Sequence, residues 1–192
     1  MKHVSRWATL VALLLVPSAV FATVVISETI EEMVQASTVV VRGRIQQVQP
    51  QLEEASGRIN TYADIQVIEV LKGKPVGSIL VKQPGGDIGG GHRGTYVAGA
   101  GQFVTGQDSV LFLEAATDEP NVFILRALAA GKVDLEKSSK GQMRAVRHLG
   151  GLAFYERQAV KDPIHVVKPE EDLGPPDVFL SRIRTALKAG AK

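Results

Sequence analysis

Between Asn60 and Leu71 apolar and polar residues alternate, and the alternation changes phase once. Ala63, Ile65 and Val67 are separated by Asp64 and Gln66; beyond them Ile68 and Val70 are apolar and Glu69 is polar. Successive side chains of a strand point to opposite faces, so an uncorrected slip of one residue would turn the buried face outward. A β-bulge near Val67–Ile68 reconciles the two halves by absorbing one extra residue. A second β-branched run, Thr38–Gln49, carries Gly43 in its interior, where glycine marks a bend, a bulge or a close backbone approach. Bulged strands let a small sheet coil and close, which removes its edges. The pattern therefore predicts a mainly β chain with a closed or partly closed barrel, a short N-terminal helix and a C-terminal helix.

The remaining elements follow from local signals. Ser27 is placed to cap a helix running to Ala36, with Ile30, Met33 and Val34 on one face. Gln51–Arg58 reads as a hairpin loop, Ser78–Gln83 and Ser109–Ala115 as strands, and Thr95–Ala98 as a short strand. Val122–Ala129 reads as another strand, and Lys132–Lys137 with Gln142–Arg147 as a last hairpin. His148–Pro176 reads as an irregular wrap, and Asp177 as the cap of a closing helix with Phe179, Leu180 and Ile183 on its inner face. This divides the chain into residues 1–22, a barrel with its helix over 23–147, and a wrap with a helix over 148–192. An immunoglobulin-type sandwich is the competing architecture, but its Cys–Trp–Cys core pattern is absent.

Residues 1–22 have the three parts of a secretory signal: basic Met1–Arg6, apolar Trp7–Val16, then Pro17 and small residues up to Ala22. Cleavage between Ala22 and Thr23 is expected, which makes the working protein periplasmic or secreted. An uncleaved anchor is the alternative, since Trp7–Ile26 carries no charge. With no cysteine in the chain there is no acceptor for a lipid anchor, so the protein is expected not to be a lipoprotein and to have no membrane attachment after cleavage. The net charge of +2 comes from Lys2 and Arg6; the rest carries 20 basic and 20 acidic side chains. A neutral exported barrel is a poor platform for nucleic acid, which is held chiefly through its phosphates.

Nine of the 19 glycines fall between Gly85 and Gly106. Within that stretch Gly86, Asp87, Gly89, Gly90, His92 and Arg93 are the candidate ligand- or partner-binding residues. The backbone amides would cradle an anion, with His92 and Arg93 as cationic partners. The alternative is a tight connection in which the glycines only let strands pass closely. No Gly-Lys-Ser/Thr follows, so the loop is not a P-loop. His92, His148 and His165 are widely spaced and form no zinc-type doublet, Lys137-Ser138-Ser139-Lys140 reads as a turn, and the adjacent carboxylates Glu53/Glu54 and Glu170/Glu171/Asp172 read as solvated loops. No catalytic residue, metal ligand or cofactor emerges.

Ala36–Ile45, with its Val39-Val40-Val41-Arg42-Gly43-Arg44 core, is followed by Val67–Gly73 ending in Val70-Leu71-Lys72-Gly73. Then come Gln83–Gly86, Phe103–Gly106 with Val110–Leu113, and Ala129–Val133. Over residues 36–136 this arrangement resembles a group of secreted bacterial proteins. More distantly it is similar to the OB-like domain of netrin modules and tissue inhibitors of metalloproteinases. The resemblance implies an OB-like β-barrel and a protein-binding role. In the metalloproteinase inhibitors an N-terminal cysteine ligates the target's zinc; this chain has no cysteine, and Thr23 would stand first after cleavage, so no inhibitory residue carries over. The expectation is thus an exported, non-catalytic binding module that contacts an exported protein or envelope component through residues 84–106. A peptidase-inhibitor-like protein is the first alternative. A small exported hydrolase or metal-dependent enzyme centred on Asp87, His92 and Arg93 is the second.

Overall fold

The computed structural model describes residues 23–75, 77–91, 93–117, 119–156 and 163–190. The expected signal segment, Ala22 included, lies outside the described residues. The described chain is mainly β, with two helices, and none of its helices is long and apolar enough to cross a membrane.

Strand β1 (Thr23–Ile26) comes first, followed by helix α1 (Ile30–Ala36). Thr29, not Ser27, caps α1. Its hydroxyl accepts from the Glu32 amide at 3.2 Å, and Glu32 Oε2 accepts from the Thr29 amide at 2.8 Å. That reciprocal box satisfies two amides at once. Ser27 is committed elsewhere: its amide donates to Tyr155 O at 3.0 Å, continuing the strand before it.

Strands β2 (Val39–Glu53) and β3 (Arg58–Lys72) form a long antiparallel hairpin. The expected loop Gln51–Arg58 shrinks to residues 54–57, because Gln51, Leu52 and Glu53 pair with Asn60, Ile59 and Arg58. The bulge falls where the phase slip placed it. Arg42 pairs with Glu69 and Gly43 with Val67, which leaves Ile68 over. At Gly43 a Cβ would stand 2.4 Å from Ile65 Cγ2 and 2.9 Å from Gln66 O, so the close approach expected of an interior glycine is present.

The chain continues through β4 (Ser78–Pro84), β5 (Gly86–Asp87), β6 (Gly94–Thr95), β7 (Asp108–Ala115) and β8 (Val122–Leu125). The strand expected over Thr95–Ala98 is instead the two-residue β6, paired with β5. The strand expected to reach Ala129 stops at Leu125. Ala127 and Leu128 adopt φ of 51° and 54°, and the chain turns into a 3-10 segment, Leu128–Gly131. There follow β9 (Lys132–Lys137), β10 (Met143–His148), β11 (Leu152–Tyr155), β12 (Ile164–Val166) and β13 (Glu170–Asp172). The last three lie in the expected irregular wrap. Leu152–Tyr155 gains a partner on each side, β1 in parallel and β12 antiparallel, and Glu170–Asp172, read as a solvated loop, adds to β10. Helix α2 (Pro176–Gly190) begins one residue before Asp177, on a proline whose missing N–H costs nothing at a first helical position.

One sheet runs β13–β10–β9–β7–β2–β3–β4–β8, with β8 parallel to β4 and also paired to β7. The uninterrupted apolar run Val110–Leu113 is explained by its central place, since both faces of β7 are buried. Val110 and Phe112 join a core with α1 and α2 residues such as Met33, Phe179 and Ile183. Leu111 and Leu113 join a second core with Val41, Ile45, Ile65 and Val81.

Outside the second core, Lys82 pairs with Glu53 and Glu119, and Tyr62 Oη donates to Glu53 Oε1 at 2.9 Å. The Lys82 ammonium and then the Tyr62 hydroxyl hold the Glu53 carboxyl down to about 2. A carboxylate depressed in the folded state stabilises the fold above its unfolded value, near 4.3, and that contribution is lost as pH falls toward the folded one. The melting temperature is therefore expected to drop between about pH 4.3 and pH 2. Lys82→Met is expected to flatten that part of the profile, which a melting series across the range reads directly.

Candidate functional site

Two concavities meet at Ala100, Gly101, Gln102 and Val104, which line both. The larger is a groove of about 680 Å³ beside the glycine-rich stretch. Its glycine wall is pinned to the long hairpin: the Gly85 amide donates to Ile59 O at 2.9 Å, and Thr61 Oγ1 donates to Gly85 O at 2.7 Å. Gly86 has φ 142°, and a Cβ there would lie 2.6 Å from Thr61 Oγ1 and 2.8 Å from Pro50 Cβ. Only glycine lets the wall seat this closely.

Among the expected site residues, Gly86 and Asp87 line the groove. Both carboxylate oxygens of Asp87 fold the hairpin tip, accepting from the amides of Gly89 at 2.9 Å and Gly91 at 2.5 Å. Gly89 packs against Arg93, where a Cβ would stand 2.8 Å from the Arg93 amide nitrogen, and Gly90 faces open space with φ 58°. Arg93 is exposed and is not among the groove-lining residues. His92 lies outside the described residues. Thr23, expected to follow the cleavage point, donates its amide to Gly151 O at 2.9 Å and its hydroxyl to Ala98 O at 2.5 Å.

What the groove offers a ligand is apolar surface with polar groups set into it. Val48, Val97 and Phe103 line it, and at its edge Tyr96 is 87% exposed and Val104 58% exposed. Gln83 also lines it, and its buried Oε1 accepts no hydrogen bond among the described residues. A buried carbonyl oxygen without a donor is costly, so Gln83 Oε1 calls for a donor that the described residues do not supply.

The smaller cleft, about 310 Å³, has a charged floor. Period two puts Lys132, Asp134 and Glu136 of β9 on one face of that strand. The ladder sets Ser109 of β7 opposite Asp134, and Glu170 of β13 opposite His148 of β10. Asp134 and Lys132 are both buried, at 3% and 5% exposure. Asp134 Oδ1 accepts from Ser109 Oγ at 2.6 Å and also from Lys132 Nζ, which in turn donates to Gln107 Oε1 at 3.0 Å. Burial pushes the Lys132 ammonium below its ordinary value, against the opposing pull of Asp134. His148 Nε2 lies 3.4 Å from Glu136 Oε2 and 3.7 Å from Asp134 Oδ2, and Nδ1 lies 3.7 Å from Glu170 Oε1.

None of these cleft residues stands out in the sequence. The signal was the alternation Lys132-Val133-Asp134-Leu135-Glu136, which gives one strand a wholly charged face. The convergence needs the register of four strands, and so His148 reads as solitary. No family model matches the chain, and no curated protein matches it.

Proposed function

We propose that the chain is an exported, non-catalytic binding module on an OB-like barrel, and that its groove takes an extended segment of a protein or envelope partner. The barrel reading is supported by pairings that return on themselves: β2 to β3, β3 to β4, β4 to β8, β8 to β7, and β7 back to β2. The single observation that carries the binding reading is the orphaned Gln83 Oε1 beside an apolar floor. A peptide segment brings both complements, an N–H donor and an apolar side chain, and Tyr96 at the edge supplies amphipathic contact area.

The test is capture of a partner from the exported fraction, followed by titration of that partner against variants. Tyr96→Ala is expected to weaken binding at least tenfold with an unchanged melting temperature, because the ring is almost wholly exposed. Gln83→Leu is expected to weaken binding while leaving the fold equally or more stable, since it removes an unpaired acceptor. Deleting 89–94 removes the hairpin tip and is expected to abolish capture. Full affinity in Tyr96→Ala and Gln83→Leu would overturn the reading.

A further inference from the structure

We propose that the cleft floored by β9, β10 and β13 binds one divalent cation of the zinc class, through His148 Nε2, Asp134 Oδ2 and Glu136 Oε2. This site is separate from the groove, and its ligands take no part in the partner contact.

The first argument is spacing. The three donor atoms lie within 4.8 Å of one another. The imidazole nitrogen is 3.4 Å from one carboxylate oxygen and 3.7 Å from the other. Those separations are long for charge-assisted hydrogen bonds. The first falls within, and the second just above, the roughly 3.3–3.6 Å between neighbouring donors on a tetrahedral ion with bonds of about 2.0–2.2 Å.

The second is orientation. Glu170 faces the other ring nitrogen at 3.7 Å, on the strand directly across. A carboxylate on that side is placed to close on Nδ1 when Nε2 ligates a metal, the usual outer-shell arrangement of a metal-binding histidine. Asp134 is oriented in the same way. Ser109 and Lys132 occupy Oδ1, and Oδ2 is turned to the imidazole. A carboxylate side chain with 4% exposure, fixed by two donors on one oxygen, is a preorganised ligand.

The third is charge. Three carboxylates, Asp134, Glu136 and Glu170, against the one Lys132 ammonium leave a surplus of negative charge beside the imidazole, which suits a dication. The ammonium lies on the far oxygen of Asp134, so it tunes the ligand without occupying its place. One imidazole with two carboxylates and no thiolate suits zinc better than calcium, which takes an all-oxygen shell. The cleft, which Asp134 and His148 line, has room beside these two ligands for solvent at a fourth position.

The test is calorimetric titration of the chelator-treated full chain with zinc chloride. One zinc per chain is expected, with His148→Ala and Glu136→Gln each weakening binding at least tenfold. Both side chains are about two-fifths exposed, so the metal-free variants are expected to melt like the parent. His165→Ala is expected to bind as the parent does. Calcium is expected to bind at least a hundredfold more weakly than zinc. Absence of binding in the parent, or parental affinity in either His148→Ala or Glu136→Gln, overturns the site; calcium binding as tight as zinc overturns its assignment to the zinc class.

Discussion

Replacing Asp134 by alanine is expected to cost about 3–5 kcal/mol of folding stability, the range for leaving one partner of a buried ion pair uncompensated. Lys132 is then left with its ammonium buried beside the Phe103 ring, 5.8 Å from its centre, and with Gln107 as its remaining hydrogen-bond acceptor among the contacts described above. Ser109, fully buried, loses the acceptor of its hydroxyl as well. Denaturant unfolding in the presence of a chelator measures the loss without any contribution from bound metal. The double replacement Lys132→Met with Asp134→Leu is expected to recover most of it, because an apolar pair of similar volume needs no compensation. The pH dependence has a definite sign. A lysine whose folded value is depressed contributes stability above its unfolded value, near 10.4, and loses that contribution as the pH falls. The deficit of Asp134→Ala is therefore expected to narrow as the pH is raised from neutral, when the stranded ammonium sheds its proton. A deficit below about 1 kcal/mol would falsify the view that this pair is a buried dependency and not a surface contact.

Gly131→Ala is expected to cost about 3 kcal/mol, at the upper end of overpacking penalties. A Cβ at this position would lie 2.2 Å from Arg126 O and 3.1 Å from the backbone carbon and nitrogen of the same residue. No rotamer change relieves a clash with backbone, so the turn itself must move. That turn already holds Ala127 and Leu128 in the left-handed region, which leaves little slack. Arg126 is also a tether: its guanidinium reaches Glu28 ahead of α1 through Nε at 2.7 Å and Nη2 at 2.5 Å, and it pairs with Glu114 of β7. Gly150→Ala is the matched control. Nothing lies within 4 Å of a Cβ there, and its φ is not positive, so its effect is expected within about 0.5 kcal/mol. A loss in Gly131→Ala no larger than the control's would show that the turn has room the close contact denies.

What the sequence announces and what it withholds divide along the range of the interactions concerned. The slip at Val67–Ile68 and the glycine at position 43 were legible because a bulge writes itself into side-chain alternation within a few residues. The cap of α1 was misread by two positions. Thr29 has Glu32 three residues on and closes a reciprocal box, whereas Ser27 has Ile30 there and its amide is taken by Tyr155, far along the chain. Residues 148–172 looked irregular because short strands between prolines and glycines have no periodicity of their own; their strand character comes from β1 and β10. The glycine stretch was legible as an unusual loop, and Gly86 and Asp87 do line a groove. The features that give that groove chemistry, Gln83 and Tyr96, carry no signature in composition. The cleft was out of reach for a related reason: Ser109, Asp134, His148 and Glu170 come from four strands, and only pairing register brings them together.

The parallel ladder between β1 and β11 has a consequence in time. Thr23–Ile26 pairs with Leu152–Tyr155, so a chain delivered amino end first carries its opening strand without a partner until nearly all the rest has emerged. Helix α1 waits likewise, since the core it joins includes Phe179 and Ile183 from the closing helix. The β2–β3 hairpin has no such delay, because its contacts are local, and local contacts form fastest. The topology thus favours maturation from the middle outward, with β1 closing on β11 and α1 on α2 late. Until then Val25, Ile30 and Met33, which the finished fold packs into its core, are open to any factor that recognises unfinished chains.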